Sequence, residues 1–128
     1  MKLNPDCIRD ILLLVEAETD LETLIRFDSD NPPDSLSAYS SDEILYHVKQ
    51  CELLGLFACD VSWFTTDDCM VSYLSPAGHQ FLSDIRSDTN WSKVKGIAKN
   101  VGSESFSAIK DIASGVISTL IQSQLGQL

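Results

Sequence analysis

The spacing of apolar residues alternates between helical and strand-like periods along this chain, and each change marks an element. Ile8, Ile11, Leu12 and Val15 recur at helical intervals, and Leu13 and Leu14 widen the stripe. The spacing predicts a helix over Pro5 to Glu18, with Asn4 as N-cap, Pro5 in the first position and Asp6 at the positive end of the helix dipole. A short strand is expected over Thr23 to Phe27. The run Asn31-Pro32-Pro33 then forces a turn. Only Ser35 to Tyr39 is left for a further short helix before the next periodic stretch. That stretch carries Ile44, Leu45, Val48, Cys51 and Leu54 on one side. Ser40 is its N-cap, Glu43 stands three residues on as in a capping box, and Gly55 is placed to end it.

The pattern next turns strand-like. Leu56 to Phe64 and Cys69 to Leu74 form two apolar arms around the polar turn Thr65-Thr66-Asp67-Asp68. Ser75 and Pro76 open another helix. Helix, two-stranded ribbon and helix together make the core of a winged helix. The expected fold class is therefore α+β, a winged-helix-like domain with a small antiparallel β-ribbon and a C-terminal helical extension. Two helices are expected in that extension. The first, about Thr89 to Asn100, carries Trp91, Val94, Ala98 and Val101 near one face. The second, about Glu104 to Gln124, carries a stripe of Ile109, Ile112, Ala113, Val116, Ile117, Leu120 and Ile121.

Charge alters the functional reading more than the fold. The 128-residue chain has a formal net charge of −10. Residues 1–87 hold 16 acidic and 5 basic side chains, whereas residues 88–128 hold 3 and 4. We therefore divide the chain into a domain over 1–87 and an extension over 88–128. The outward face of the helix after Ser40 would enter the major groove in a DNA-reading winged helix, and it displays Tyr46, His47, Lys49 and Gln50. Asp42, Glu43 and Glu52 would meet phosphates badly. The ribbon tip holds Asp67 and Asp68 where a DNA-binding wing needs Lys or Arg. Trp63 and Phe64 are read either as an exposed aromatic contact for a protein partner or as packing against the neighbouring helix.

Catalytic and metal chemistry leave no recognisable pattern. Cys7, Cys51, Cys59 and Cys69 lack the short spacing of zinc ligands, and Cys7 and Cys51 fall on apolar stripes. A zinc site built from Cys59 and Cys69 across the ribbon with His47 and Cys51 is the weaker alternative to structural cysteines. His79 has no partner at a telling spacing. No phosphate-cradling glycine loop, nucleophile elbow or metalloprotease motif is present. The expectation is a protein without enzymatic activity, cofactor or metal. No apolar run reaches the ~18–20 residues that span a bilayer, and the first residues do not read as a signal peptide, so a cytoplasmic location is expected.

The segments M-K-L-N-P-D-C-I-R-D-I-L, D-E-I-L-Y-H-V-K-Q-C, S-P-A-G-H-Q-F-L and D-T-N-W-S-K-V-K, in that order, are similar to domain of unknown function 2513. That is a bacterial and prophage family of small proteins. The resemblance implies a winged-helix-like fold and a frequent home in phages or mobile elements, and it carries over no catalytic or ligand residues. Two functions remain. One is a phage- or prophage-type interaction or regulatory protein that binds a host or phage protein through its acidic domain. The other is a dimeric DNA-binding transcriptional regulator of the winged-helix type, which the charge disfavours. The stripe Ile109, Ile112, Val116, Ile117, Leu120 and Ile121 is expected to form a homodimer rather than lie on a membrane, because Lys110 is the only basic residue on its polar face.

Overall fold

A computed structural model describes residues 1–127. Those residues form an α+β protein of five α-helices and one three-stranded antiparallel sheet. The elements are α1 (Pro5–Glu18), β1 (Ile25–Asp28), a 3-10 turn (Asp34–Leu36), α2 (Ser41–Leu53), β2 (Ser62–Thr65), β3 (Asp68–Val71), α3 (Pro76–Ile85), α4 (Asp88–Val101) and α5 (Phe106–Leu125). Contacts divide the chain into two compact units, Met1–Gln80 and Phe81–Leu128. The boundary lies inside α3, ahead of the change in charge after residue 87.

Local chemistry sets the helix ends. The Asn4 side chain accepts from the Asp6 amide and caps α1, and Ser40 Oγ accepts from the Glu43 amide at 3.1 Å to cap α2. The Glu43 carboxylate, expected to complete a capping box, instead accepts from Asn4 Nδ2 at 3.4 Å and ties the two helix starts together. Beyond α2, Gly55 adopts a φ of 73°, a left-handed conformation that glycine reaches without steric cost. Its carbonyl accepts from Ser75 Oγ at 2.6 Å, and the same hydroxyl accepts from the Gly78 amide to cap α3. One serine thus closes α2 and opens α3.

The core of the first unit is the inner face of α1 (Cys7, Ile8, Ile11, Leu12, Val15) with Leu36, Ile44, Leu45, Val48 and Cys51. α1 packs on α2 and on the 3-10 turn, and Tyr39 Oη donates to Asp10 Oδ2 at 2.7 Å across that junction. The stretch Ser35 to Tyr39 therefore keeps only one 3-10 turn of the short helix expected there.

Strand order in the sheet is β1-β3-β2, so the ribbon gains a third strand from the segment before the Pro-Pro turn. Phe27, Cys69 and Trp63 stand opposite one another across the three strands, on one face. The ribbon arms are shorter than their apolar runs. Leu56, Phe57 and Val61 are buried in an irregular segment that meets the other arm through the Phe57–Leu74 bridge and the Ala58 amide donating to the Tyr73 carbonyl. Arg26 of β1 reaches Asp68 with two hydrogen bonds of 2.8 and 2.9 Å and approaches Asp28 at 3.5 Å. Two carboxylates that face each other directly across β1 and β3 share this guanidinium.

Glu52 joins the ribbon to α2. Its carboxylate accepts from the Val61 amide (2.7 Å), the Trp63 indole N–H (3.1 Å) and Lys49 Nζ (2.8 Å). Desolvation opposes its charge, but the hydrogen bonds from Lys49, Val61 and Trp63 outweigh that effect and hold its pKa below the ordinary value.

In the second unit α4 packs along α5. Ser87 and Ser105 cap the two helices, and Gly102, at φ 84°, ends α4. α5 begins at Phe106 rather than Glu104 because Ser105 takes an extended conformation to cap it. The rings of Phe81 and Phe106 lie 4.8 Å apart.

Two glycines give opposite expectations. A Cβ on Gly78 would overlap the backbone carbonyl oxygen of Leu56, which cannot swing away. Gly78→Ala is expected to lower stability by about 2 kcal/mol or more. Gly96, in mid-α4 with open space around it, should gain up to about 1 kcal/mol as alanine. Urea midpoints of the two variants check both signs. A second test concerns Glu52: Glu52→Gln is expected to cost about 1–3 kcal/mol near neutral pH, as for hydrogen bonds to a charged group. A lowered carboxylate pKa stabilises the fold above the unfolded value of about 4.3 and ceases to do so as pH falls through the folded value. The stability gap between wild type and variant should therefore shrink on acidification below that point, as read by urea unfolding across pH.

Candidate functional site

α2 and β2 border a groove of about 570 Å³ on the first unit. Leu45 and Tyr46 of α2 and Trp63 of β2 supply its apolar lining together with Met1. Thr65, Thr66 and Asp67 close it at the ribbon turn, and Asp42 and Lys49 stand on the helix side. Residues 42, 45, 46 and 49 follow helical spacing, so one edge of α2 lines the groove. Trp63 and Thr65 both border it, although a bulge separates them in β2.

The site residues expected from sequence separate on this frame. Tyr46, Lys49 and Trp63 come together at the groove. Lys49 is exposed, ion-paired with Glu52 at 2.8 Å, and its Nζ sits 5.7 Å from the Trp63 ring centroid. The one basic side chain lining the groove is thus already matched to a carboxylate and an aromatic face. Gln50 is half-buried on α2 and does not line the groove.

His47 is a correction. It was placed on the outward face of α2 and is fully buried. Its Nδ1 donates to the Glu43 carbonyl at 2.7 Å, and its Nε2 accepts from the Asn4 amide at 2.8 Å, so both ring nitrogens are used inside the fold. The ring also lies edge-on to Tyr46, with centroids 5.2 Å apart. A side chain held in this way is closed to a partner or a DNA base.

Phe64 keeps the exposure expected of a partner contact but parts from Trp63. It was grouped with Trp63 as one aromatic contact, yet neighbouring residues of a strand point to opposite faces. Trp63 turns to the inner row with Cys69 and is half-buried, whereas Phe64 is 63% exposed at the bulge between Trp63 and Thr65. The acidic tip is also smaller than its sequence suggested, since Asp68 is taken up by Arg26, while Asp67 meets no basic side chain among the described residues.

Cys59 does not face Cys69. Trp63 occupies the position across from Cys69, and Cys59 is exposed in the irregular segment. Burial pushes the thiols of Cys7 and Cys69 up to about 12, with help from Glu43 and Asp10 at Cys7 and from Asp68 at Cys69. Burial also raises the Cys51 thiol. Such thiols are held far from the thiolate that nucleophilic or metal chemistry requires. Among the described residues no group of three or more His, Cys, Asp or Glu side chains is arranged to hold a metal ion. His79 lies 3.8 Å from Glu16 and is largely exposed.

The C-terminal stripe divides along its length. Ile109 and Val116, offered above for self-association, are buried with Ala113 within the chain itself, which is a second correction. They lie seven residues apart, two helical turns, on the buried side of a helix that packs against α4. Ile112 and Ile117 are half-buried. Leu120 and Ile121 are 39% and 53% exposed, and Leu125 continues their apolar surface. A groove of about 450 Å³ between α4 and α5 is lined by Ile97, Ile112, Gly115, Val116 and Leu120, with Lys93 and Thr119. Among the described residues no helix is long and apolar enough to cross a membrane.

Sequence reasoning missed Glu52 as the residue that builds the site. It was read as an outward acid unsuited to phosphates. Its signal was its position, a carboxylate in the last turn of a helix, where the dipole disfavours negative charge.

Comparison with known proteins adds the family. A model described as "Hypothetical protein (DUF2513)" matches residues 2–104. A Haemophilus influenzae protein described as an uncharacterized protein is 32% identical over 123 residues, covering 94% of this chain and 99% of that protein. No solved structure matches the chain. With four-fifths of its length under the family model and a full-length relative beside it, the chain belongs to the DUF2513 family.

Proposed function

We propose that this chain is a non-enzymatic interaction module of phage or prophage type, in which a winged-helix-like domain binds a protein partner. The winged-helix reading is supported by element order. A helix, a strand, a short helical turn, a longer helix and a two-stranded ribbon follow one another, and the first strand pairs with the last. On this reading α2 takes the place of the recognition helix and the β2–β3 turn that of the wing tip.

The observation that carries the protein-binding reading is the charge on those two elements. Asp42 and Glu43 open α2, Asp67 marks the ribbon turn, and Lys49 is the one basic residue of α2 and is ion-paired. Phosphate contacts supply most nonspecific DNA affinity and need unpaired Lys or Arg. A surface built this way repels a duplex at both points where a winged helix would touch it. Fluorescence anisotropy with neighbouring genomic DNA at low salt is expected to show no specific binding. Specific binding that weakens with added salt would overturn the proposal in favour of a DNA-binding regulator.

The same proposal includes a homodimer through the second unit. Met1–Gln80 carries 15 acidic and 4 basic side chains, so two copies repel through it, whereas the remaining residues carry 4 and 5. The near-neutral unit also holds the exposed apolar positions Ile97, Leu120, Ile121 and Leu125. Gly115 has open space beside it, which permits close approach of a second helix. Light scattering is expected to give a dimer for the full chain and a monomer for Leu120→Ser with Ile121→Ser. A monomeric wild-type chain, or a dimer that both substitutions leave intact, would remove this part.

A further inference from the structure

We infer that the groove between α2 and β2 receives a basic peptide segment carrying an apolar anchor, an inference that rests on the protein-binding reading above. The groove is an aromatic and aliphatic floor with charge only at its rim. Leu45, Tyr46 and Trp63 form the floor, and the volume of about 570 Å³ lies in the range that accommodates a ligand rather than a stray solvent cluster. Trp63 is held rigid from behind, because its indole N–H is engaged by Glu52. A pre-ordered aromatic side chain gives up little entropy when a partner covers it.

Charge decides which partner. Asp42 and Asp67 stand on opposite sides of the floor, both exposed, and neither is engaged by a basic side chain among the described residues. Lys49 offers no compensating attraction for an acidic partner, since its ammonium is 2.8 Å from Glu52 and lies over Trp63. An acidic or neutral segment would leave both rim carboxylates unmatched. A segment with Lys or Arg on each side of an apolar residue would match both while burying its anchor. The long-range field of the unit, with 15 acidic against 4 basic side chains, acts in the same direction and speeds encounter with a basic partner.

The mode is side-chain insertion rather than strand addition. β2 is an edge strand, but it is four residues long and bulged between Trp63 and Thr65. A short, bulged edge is a poor template for a further strand. Recognition therefore rests on the floor and the two carboxylates.

Selection of a random peptide library on the full chain tests this directly. Expected winners carry net positive charge around a large apolar residue, and lose about tenfold or more in affinity against Asp42→Asn with Asp67→Asn, the scale of losing two charge contacts. Both substituted positions are exposed, so that variant should fold as wild type does. The same winners should lose binding to Trp63→Ala, with circular dichroism confirming its fold. Acidic or neutral winners, winners indifferent to the rim substitutions, or no enrichment at all would each overturn the inference. Acidic or neutral winners that still require Trp63 would overturn the basic partner while leaving a protein-binding module. Specific DNA binding in the anisotropy experiment would instead remove the module itself.

Discussion

One carboxylate governs how the first unit is put together. Glu52 sits in the last turn of α2, where the helix dipole works against it, and it is largely withdrawn from water. Both effects favour the neutral acid. Three donors reverse the balance, and two of them, the Val61 amide and the Trp63 indole, belong to the ribbon rather than the helix. The charge can persist there only while the ribbon stays docked. In turn, the ribbon is held at the angle that turns Trp63 toward α2 and leaves a groove between them. Remove the carboxylate, and the floor of the groove loses its fixed edge.

His47 plays the matching part from the middle of α2. The Asn4 amide is the first backbone donor ahead of α1, and it is satisfied by a ring nitrogen 43 residues away in sequence. The opposite ring nitrogen donates to a carbonyl one turn earlier in α2. The imidazole therefore links the start of one helix to the middle of another through two buried bonds. Together with the Glu43–Asn4 contact, this fixes α1 against α2 at their N-terminal ends, while Glu52 fixes the ribbon at the C-terminal end. α2 is thus held at both ends, which is the condition for presenting one of its edges as a rigid surface.

These two residues also show where sequence stops being informative. Asn4, Ser40, Gly55 and Ser75 were legible because caps are decided within a few residues of chain. Hydrophobic spacing placed α1, α2, α4 and α5, because a helix buries a stripe that recurs every three or four positions, and α3 was placed by its cap and first-turn proline. β1 was expected as a strand, but its pairing with β3 depends on contacts across more than forty residues that no local pattern encodes. A histidine on a helix face looks polar and exposed in sequence, but the burial of His47 is determined by a distant amide. Glu52 was misread for the same reason, although a carboxylate at the wrong end of a helix is a local conflict that points to a compensating partner. Trp63 and Phe64 could have been separated from sequence, since period two alone sends adjacent strand residues to opposite faces.

The structure also changes what the acidic charge means. Counting residues makes the ribbon turn doubly negative, but Arg26 answers Asp68 with two hydrogen bonds, and the Glu52 charge is spent inside the fold. Charges matched in this way contribute little to the field felt by a partner. What remains unmatched near the groove, among the described residues, is Asp42 and Asp67, one on each side of an apolar floor. A uniformly acidic surface would attract any cation without discrimination, and screening by salt would blur it within about 8 Å. Two isolated carboxylates flanking a rigid tryptophan set a distance and a direction as well as a sign. On the proposed reading, the specificity of the groove rests on the charges that the fold has left unpaired rather than on the total that the chain carries.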